Sequence, residues 1–204
     1  MGVAGIARRS LLGLAGWLIG APALALAAPA KPKVAIRTKH GVIVVELETL
    51  KAPLTSANFL RYVDAGKYDG GTFFRAARTP GAPKEGTIVG GPAPKQRPFP
   101  PIAHESTTQT GLRHVEGTIS LGRFAPGSAT DGFFICASAE PYLDAHPEAK
   151  GDNLGFAAFG QVVEGLPVVH TILALPTSTK APFPDQKGQW LKPPVPILSM
   201  KRLA

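Results

Sequence analysis

The most informative part of the sequence is residues 117–160, GTISLGRFAPGSATDGFFICASAEPYLDAHPEAKGDNLGFAAFG. Its segments 118–121 and 133–137 are short apolar runs bounded by Gly, Pro, Ser and Asp, which is typical of strands that end in turns. Small residues let a ligand backbone approach closely, and large side chains form the walls of a pocket. The stretch therefore predicts the floor and wall of a binding groove, with these large side chains: Arg123, Phe124, Phe133, Phe134, Leu143 and Phe156.

Residues 1–27 have the composition of an export signal. They contain no acidic residue, a basic pair at Arg8 and Arg9, and an apolar run over residues 11–26 that ends in small residues. We expect cleavage after residue 27 and export, most simply to a periplasm. A retained membrane anchor is the alternative, although glycines and Pro22 interrupt the apolar run. The basic pair also resembles a twin-arginine signal, and a general secretory signal fits equally well.

The rest of the chain reads as a short tether followed by one domain. Residues 28–33 are rich in Pro, Ala and Lys, and we expect a flexible tether there, with the domain at residues 34–204. Removal of residues 1–27 lowers the formal net charge from +8 to +6, because that segment holds two Arg and no acid. The remaining cations are scattered and not interleaved with aromatic residues, which predicts a solvated basic surface and no nucleic-acid partner. We expect a monomer that does not associate with membranes after cleavage.

The sequence lacks the familiar motifs of metal sites and covalent catalysis. There is no HExxH, no paired-Cys spacing, no GxSxG and no complete phosphate loop. The five histidines lie in unrelated segments, and we expect each to be structural or solvated. Cys136 is the single cysteine and cannot form an internal disulfide. We therefore expect no metal and no other cofactor.

Hydrophobic periodicity predicts many short strands and two helices. A hairpin is predicted over residues 34–47, and a helix over residues 53–65, where Phe59, Leu60 and Val63 share one face. A second helix is predicted near residues 168–175, before Pro176. From these residues alone, an all-β barrel and a sandwich are both compatible with the pattern. Further strands are predicted at 72–76, 87–91, 118–121, 133–137, 156–163 and 195–202, and Pro-rich surface loops between the strands 72–76 and 87–91, at 92–101 and at 177–189.

A series of short motifs occurs in a specific order: Ala52-Pro53, Asn58-Phe59, Tyr68-Asp69-Gly70, Phe73-Phe74-Arg75, Gly90-Gly91, residues 117–121, Ser128-Ala129-Thr130, Phe133-Phe134-Ile135, Tyr142-Leu143-Asp144, residues 159–165 and Val168-Val169. In this order they resemble the cyclophilin peptidyl-prolyl isomerases, over about residues 34–202. The resemblance implies a mainly β fold, a closed antiparallel β-barrel with two capping α-helices. It also implies a substrate groove on the outer face of the barrel.

The resemblance also assigns roles to individual residues. It implies that Arg75 is the catalytic residue, that Phe134 and Leu143 form the proline pocket, and that Phe156 lies at the rim of that pocket. A neighbouring peptide subsite would be lined by Leu121, Gly122, Arg123 and Phe124.

Several positions differ from the family pattern. Phe74 stands in place of the usual histidine, and Val89 in place of a glutamine before the paired glycines. Asp131 and Gly132 replace a Ser-Gln pair, so two amide side chains of the groove are lost. We expect these changes to weaken catalysis or to alter the peptide preference.

The predicted function is therefore a peptidyl-prolyl cis-trans isomerase that assists folding of exported proteins and acts on proline-containing polypeptides. Isomerisation breaks no bond, so an apolar groove and one arginine donor can catalyse it without a cofactor. The main alternative is a proline-peptide-binding or chaperone module with little or no turnover. Two further alternatives are that Arg75 is an outward-facing arginine paired with Glu85 or Glu105, and that residues 92–101 are a ligand for partner proteins.

Overall fold

The chain enters its fold through the predicted hairpin. The structure is a computed structural model that describes residues 1–2 and 30–203, so the predicted signal peptide beyond its first two residues lies outside the described part. Strand β1 (Lys33–Thr38) pairs antiparallel with β2 (Gly41–Leu47). Lys31 Nζ donates to Glu48 Oε1 at 2.6 Å, and the Leu47 amide donates to the Pro32 carbonyl at 2.9 Å. Within the expected flexible tether, residues 28–33, Lys31 to Lys33 are therefore bonded to the domain, whereas residues 28–29 lie outside the described part.

The strands form a closed antiparallel barrel. Besides β1 and β2 they are β3 (Thr72–Thr79), β4 (Ala82–Gly91), β5 (Thr118–Leu121), β6 (Phe133–Cys136), β7 (Ala157–Glu164), β8 (Thr177–Ser178) and β9 (Trp190–Leu203). Their order is β1-β2-β7-β5-β6-β4-β3-β9, and β9 pairs with β1 to close the ring, while the two-residue β8 pairs with β9 alone. Closure removes the free edges that a sandwich would leave, and the sandwich alternative is wrong.

Three of the strands extend well beyond their predicted bounds. β3 and β4 continue through the predicted Pro/Gly loop and turn at Gly81, whose φ of 81° favours glycine. β9 begins at Trp190, five residues before the predicted start, although prolines interrupt its first half. Proline lowers a strand prediction because it cannot donate to the ladder. The early start of β9 brings Trp190 opposite Arg75 on β3.

The two predicted helices are present, together with a single helical turn that was not predicted. α1 (Pro53–Asp64) begins at proline, as expected, and buries Phe59, Leu60 and Val63. α2 (Thr107–Thr110) is too short to show a helical period, and α3 (Leu166–Leu173) starts two residues before the predicted segment. Among the described residues no helix is long and apolar enough to span a membrane.

A distant carboxylate caps the amino end of α1. Glu105 accepts hydrogen bonds from the Leu54 amide at 3.1 Å, the Thr55 amide at 2.7 Å and the Thr55 hydroxyl at 2.7 Å. These amides have no partner within the helix, and a negative charge there is favoured by the helix dipole. Glu105 therefore has a structural role and is not a partner of Arg75.

The core is rich in aromatic side chains. Phe59, Tyr68, Phe73 and Phe133 are fully buried and meet with ring centroids 5.3 to 5.7 Å apart. A Cβ on Gly90 would lie 3.0 Å from both Phe73 and Phe133, so a side chain here would crowd the two rings. Side chains alternate along a strand, so the residues after Phe73 and Phe133 face outward. Those residues are Phe74 and Phe134, and both lie in the groove described next.

Candidate functional site

A groove of about 560 Å³ runs over the outer faces of β3, β4 and β6. All predicted site residues except Leu121 line it: Phe74, Arg75, Val89, Gly122, Arg123, Phe124, Phe134, Leu143 and Phe156. The placement of Leu121 is wrong. It pairs with Phe133 across β5 and β6 and belongs to the buried core, with 1% of its surface exposed.

Arg75 is held in the groove by a glutamine from a distant part of the chain. Its Nε donates to Gln189 Oε1 at 2.7 Å. Burial lowers the pKa of Arg75, an effect that the nearby Asp185 opposes, and the guanidinium stays charged near neutral pH because its ordinary pKa is so high. Within residues 30–203 no carboxylate forms an ion pair with Arg75, so the expected alternative of pairing with Glu85 or Glu105 is wrong.

The apolar part of the groove is formed by Phe134, Phe156 and Leu143. Phe134 and Phe156 meet edge to face with ring centroids 5.4 Å apart. The Phe156 amide donates to the Leu143 carbonyl at 2.9 Å, which holds these two residues side by side. Such a concave apolar surface suits a compact ring such as that of proline.

A buried hydrogen-bonded chain supports Phe134 from behind. His114 stacks on the Phe134 ring at 5.8 Å, its Nδ1 lies 2.7 Å from Asp144 Oδ1, and its Nε2 lies 2.9 Å from Ser120 Oγ. Burial lowers the pKa of His114 and outweighs the opposing effect of Asp144, so the ring is neutral, with Nδ1–H donating to the carboxylate and Nε2 accepting from the hydroxyl. Ser120 is fully buried, so no substrate carbonyl can reach its hydroxyl and the three residues do not form a hydrolase triad.

Arg123 lines the groove, but its charge is neutralised. The guanidinium makes two hydrogen bonds to Asp152, at 2.6 and 2.8 Å, and Nε donates to the Gly155 carbonyl at 2.9 Å. Its carbon Cζ lies 5.4 Å from the centre of the Phe156 ring. Arg123 therefore holds the polar segment that contains Asp152 and Gly155 against the groove. Arg75 is the other arginine that lines the groove, and no carboxylate of the described residues pairs with it.

One wall of the groove was not predicted from the sequence. Phe183, Gln186 and Trp190 line it, and they come from the segment predicted as a polar loop and from the first residue of β9. Trp190 stacks on Phe74 with ring centroids 5.1 Å apart, and its Nε1 donates to Gln186 Oε1 at 3.1 Å. The only signal in the sequence was the presence of aromatic and amide residues in a Pro-rich segment, which does not indicate where that segment packs.

The positions of the lost amides are also in the groove. Val89 is the register partner of Arg75 on β4, and Gly132 directly precedes β6, so neither offers a polar side chain to the groove. Cys136 on the same strand is fully buried, and burial raises the pKa of its thiol. In the described part of the chain no group of three or more His, Cys, Asp or Glu side chains is arranged to hold a metal ion.

Comparison with known proteins agrees with this geometry. Residues 33–202 match the family described as "Cyclophilin type peptidyl-prolyl cis-trans isomerase/CLD". The chain is 33% identical to "Peptidyl-prolyl cis-trans isomerase A" of Dickeya dadantii over 178 residues, covering 87% of each protein. It is 32% identical to "Peptidyl-prolyl cis-trans isomerase" of Acinetobacter baylyi over 195 residues, covering 95% of each.

A solved structure shows the same fold at low sequence identity. The crystal structure of a cyclophilin type peptidyl-prolyl cis-trans isomerase of Cryptosporidium parvum superposes with a TM-score of 0.64 at 19% identity, covering 85% of this chain and 98% of that one. The predicted barrel is thereby confirmed, and the family match over residues 33–202 spans nearly all of the described residues. The chain belongs to the cyclophilin-type peptidyl-prolyl cis-trans isomerases.

Proposed function

We propose that the groove around Arg75 is the isomerase site and that Arg75 is its hydrogen-bond donor. The observation that carries this proposal is the location of a charged guanidinium beside an apolar pocket. Arg75 lines the same cavity as Phe134 and Leu143, and its Nε is occupied by Gln189. Its two terminal nitrogens make no hydrogen bond to the described residues, so they remain available to a peptide.

Prolyl isomerisation requires an apolar surface and a fixed hydrogen-bond donor, and the groove provides both. The barrier to rotation about an amide, about 18–20 kcal/mol, is the resonance lost as the bond twists. The twisted amide has a less polar carbonyl and a more basic nitrogen, so an apolar surface and a fixed donor favour it over the planar ground state. Phe134, Leu143 and Phe156 would hold the proline ring, and Arg75 would donate to the substrate amide. A structure of the Cryptosporidium parvum relative was determined in the presence of the dipeptide Ala-Pro, which supports a groove that accepts short X-Pro peptides.

The experiment that tests this role is an isomerisation assay of residues 28–204 on a short X-Pro peptide, with Arg75→Ala alongside the wild type. Arg37→Ala is the matched control, because Arg37 is an exposed strand arginine of β1 outside the groove. We expect acceleration by the wild type and the control, and its loss in Arg75→Ala. An Arg75→Ala variant that is as fast as the wild type would contradict the assignment.

A second candidate function is the binding of unfolded chains with slow turnover. The observation that favours it is the exposure of aromatic side chains around the groove: Phe124 is 86% exposed, Tyr142 67% and Phe183 48%. Exposed apolar patches of this kind mark interaction sites. Binding of a proline-free unfolded polypeptide by Arg75→Ala, at wild-type affinity, would show that this function is separate from catalysis.

We further propose that the protein is exported, acts as a monomer and assists folding of exported proteins. The support is the composition of residues 1–27, with its basic pair and apolar run. Amino-terminal sequencing of the protein recovered from a cell-envelope fraction tests cleavage after residue 27, and light scattering tests the monomer. Replacement of Arg8 and Arg9 by lysine distinguishes the two export routes, because only twin-arginine export is expected to fail.

A further inference from the structure

The segment that ends at Gln189 is joined to β3 beside Arg75. The Ala76 amide donates to the Gln189 carbonyl at 2.8 Å, and Trp190 is the register partner of Arg75. The side-chain contact between Arg75 and Gln189 joins residues 114 positions apart in the chain. The backbone of Gln189 is thus fixed to the same strand as the arginine that its side chain contacts.

Local contacts also restrain the segment itself. The Gln189 amide donates to the Gln186 carbonyl at 3.1 Å, and the Gly188 amide donates to the Ser178 carbonyl at 3.1 Å. Trp190 is held by its stacking on Phe74 and its hydrogen bond to Gln186. A side chain on a backbone fixed at several points can orient its partner with little loss of conformational entropy.

The contact determines which part of the guanidinium is available. An arginine side chain has many rotamers, and its planar head presents five N–H groups in a fixed arrangement. Gln189 engages the inner Nε–H, so the head is oriented and the two terminal amino groups are left for a ligand. Across β3 the neighbour on β4 is Val89, which has no polar atom to do this.

We propose that Gln189 is a positioning residue for isomerisation, whose side-chain oxygen holds the Arg75 guanidinium so that the terminal amino groups point at the substrate amide. Gln189 thereby supplies, from the β9 side of Arg75, an amide that is absent at Val89 on the β4 side. This inference rests on the proposed role of Arg75.

The test compares three glutamine variants in the isomerisation assay. Gln189→Met keeps the length and removes the acceptor, Gln189→Glu keeps an acceptor oxygen, and Gln161→Met is the matched control. Gln161 lies on β7, donates to the Glu116 carbonyl and does not line the groove. Its replacement therefore shows the effect of losing a glutamine hydrogen bond that is only structural. We expect kcat to fall about tenfold in Gln189→Met with little change in KM, the size of effect of one hydrogen bond to a charged group. We expect near-wild-type kcat in Gln189→Glu and in the control.

Two further measurements show whether Gln189 acts through Arg75. In an Arg75→Ala background Gln189→Met should cause no additional loss of kcat, because the group that it positions is gone. In NMR spectra the Arg75 Nε–H signal should be protected from exchange with water in the wild type and in Gln189→Glu, and should lose that protection in Gln189→Met.

The outcomes separate this inference from the proposed function. If the wild type is active and Gln189→Met is equally active, the role of Gln189 is overturned and that of the groove is unaffected. The same follows if Gln189→Met lowers kcat further in the Arg75→Ala background. A wild type without acceleration overturns the proposed catalytic role of Arg75. In that case the exchange protection of the Arg75 Nε–H signal is the remaining test of whether Gln189 orients Arg75. Equal protection in the wild type and in Gln189→Met would overturn the positioning role of Gln189.

Discussion

Phe133 and Phe134 are neighbours in the chain, and their side chains lie on opposite faces of β6. Phe133 meets Phe73 edge to face at 5.6 Å inside the barrel, whereas Phe134 meets Phe156 at 5.4 Å in the groove. The alternation of side chains along a strand accounts for this division. The position of the pocket floor is therefore set by the packing of the core directly behind it.

This pair predicts two separable mutant effects. Phe133→Ala should lower the free energy of unfolding by about 3–5 kcal/mol, because it removes a fully buried ring and leaves a cavity. Phe134→Ala should cost less stability, since one face of its ring borders the groove, and should lower kcat/KM at least about tenfold through loss of the proposed proline pocket. Denaturant titrations and the isomerisation assay measure the two effects. Equal destabilisation by both variants, with unchanged kcat/KM in Phe134→Ala, would contradict this division.

We predict that lysine cannot substitute for Arg75 in catalysis. Arg75→Lys keeps a positive charge but loses the Nε–H that bonds Gln189 and the planar head, so we expect kcat/KM to fall by about 10²-fold or more. The measurement is the same assay, and circular dichroism of Arg75→Lys checks that the fold is kept. Arg37→Lys, on the exposed face of β1, provides the control. A fully active lysine variant would mean that charge alone is sufficient.

The buried His114 predicts an acid-dependent loss of stability. Its folded-state pKa is lowered by burial, so the unfolded chain binds more protons than the folded one below the ordinary histidine pKa of about 6.5. The free energy of unfolding should therefore be unaffected by this group above that value, and should decrease as the pH falls below it by up to about 1.4 kcal/mol per pH unit. The charged groups near the ring are Asp144, Glu140 and, through Asp144, Arg113.

Denaturant titrations of the wild type and His114→Gln, at about pH 7.5 and about pH 5.5, measure this effect. We expect the variant to be less stable at the higher pH, since it disturbs the contacts to Asp144 and Ser120, but to lose less stability on acidification. An equal loss in both proteins would show that the pKa of His114 is the same in the folded and the unfolded chain.

Glu105 predicts a stability effect without an effect on catalysis. Glu105→Gln removes the negative charge that accepts three hydrogen bonds at the start of α1, and we expect a loss of about 1–2 kcal/mol in the free energy of unfolding. Glu85→Gln is the matched control, because Glu85 is exposed and makes no ion pair within the described residues. Its free energy of unfolding should change by less than about 0.5 kcal/mol. A loss of kcat without a loss of stability in Glu105→Gln would instead connect α1 to the groove.

Local pattern and motif order predicted most of the fold. The hairpin of β1 and β2 and the start of α1 at Pro53 follow from alternation, helical period and the preference of proline for the first helical turn. The closed barrel was implied by the order of motifs, whereas the residues themselves also allowed a sandwich. Of the ten predicted site residues, Leu121 alone faces the core, because all four residues of β5 are buried and its sequence shows no alternation from which to assign a face.

The wall beside Arg75 could not be predicted because it depends on contacts between distant parts of the chain. Three prolines in the first half of β9 read as strand breakers, and the pairing of Trp190 with Arg75 has no local signal. The capping of α1 by Glu105 is of the same kind, since 50 residues separate the carboxylate from the Thr55 amide. Local pattern gives element types, whereas such contacts appear only once the barrel is closed.

The pairing of β1 with β9 means that the first and last strands of the domain are neighbours, with Lys33 opposite Leu203. A chain emerging from the ribosome contains β1 first and the 14 residues of β9 last. Until those residues are available the ring stays open, and Gln189 and Trp190 cannot meet Arg75. Assembly of the groove is thus a late event of synthesis, and a nascent chain that lacks its final strand is expected to be unable to isomerise prolines, including those already present in its own sequence.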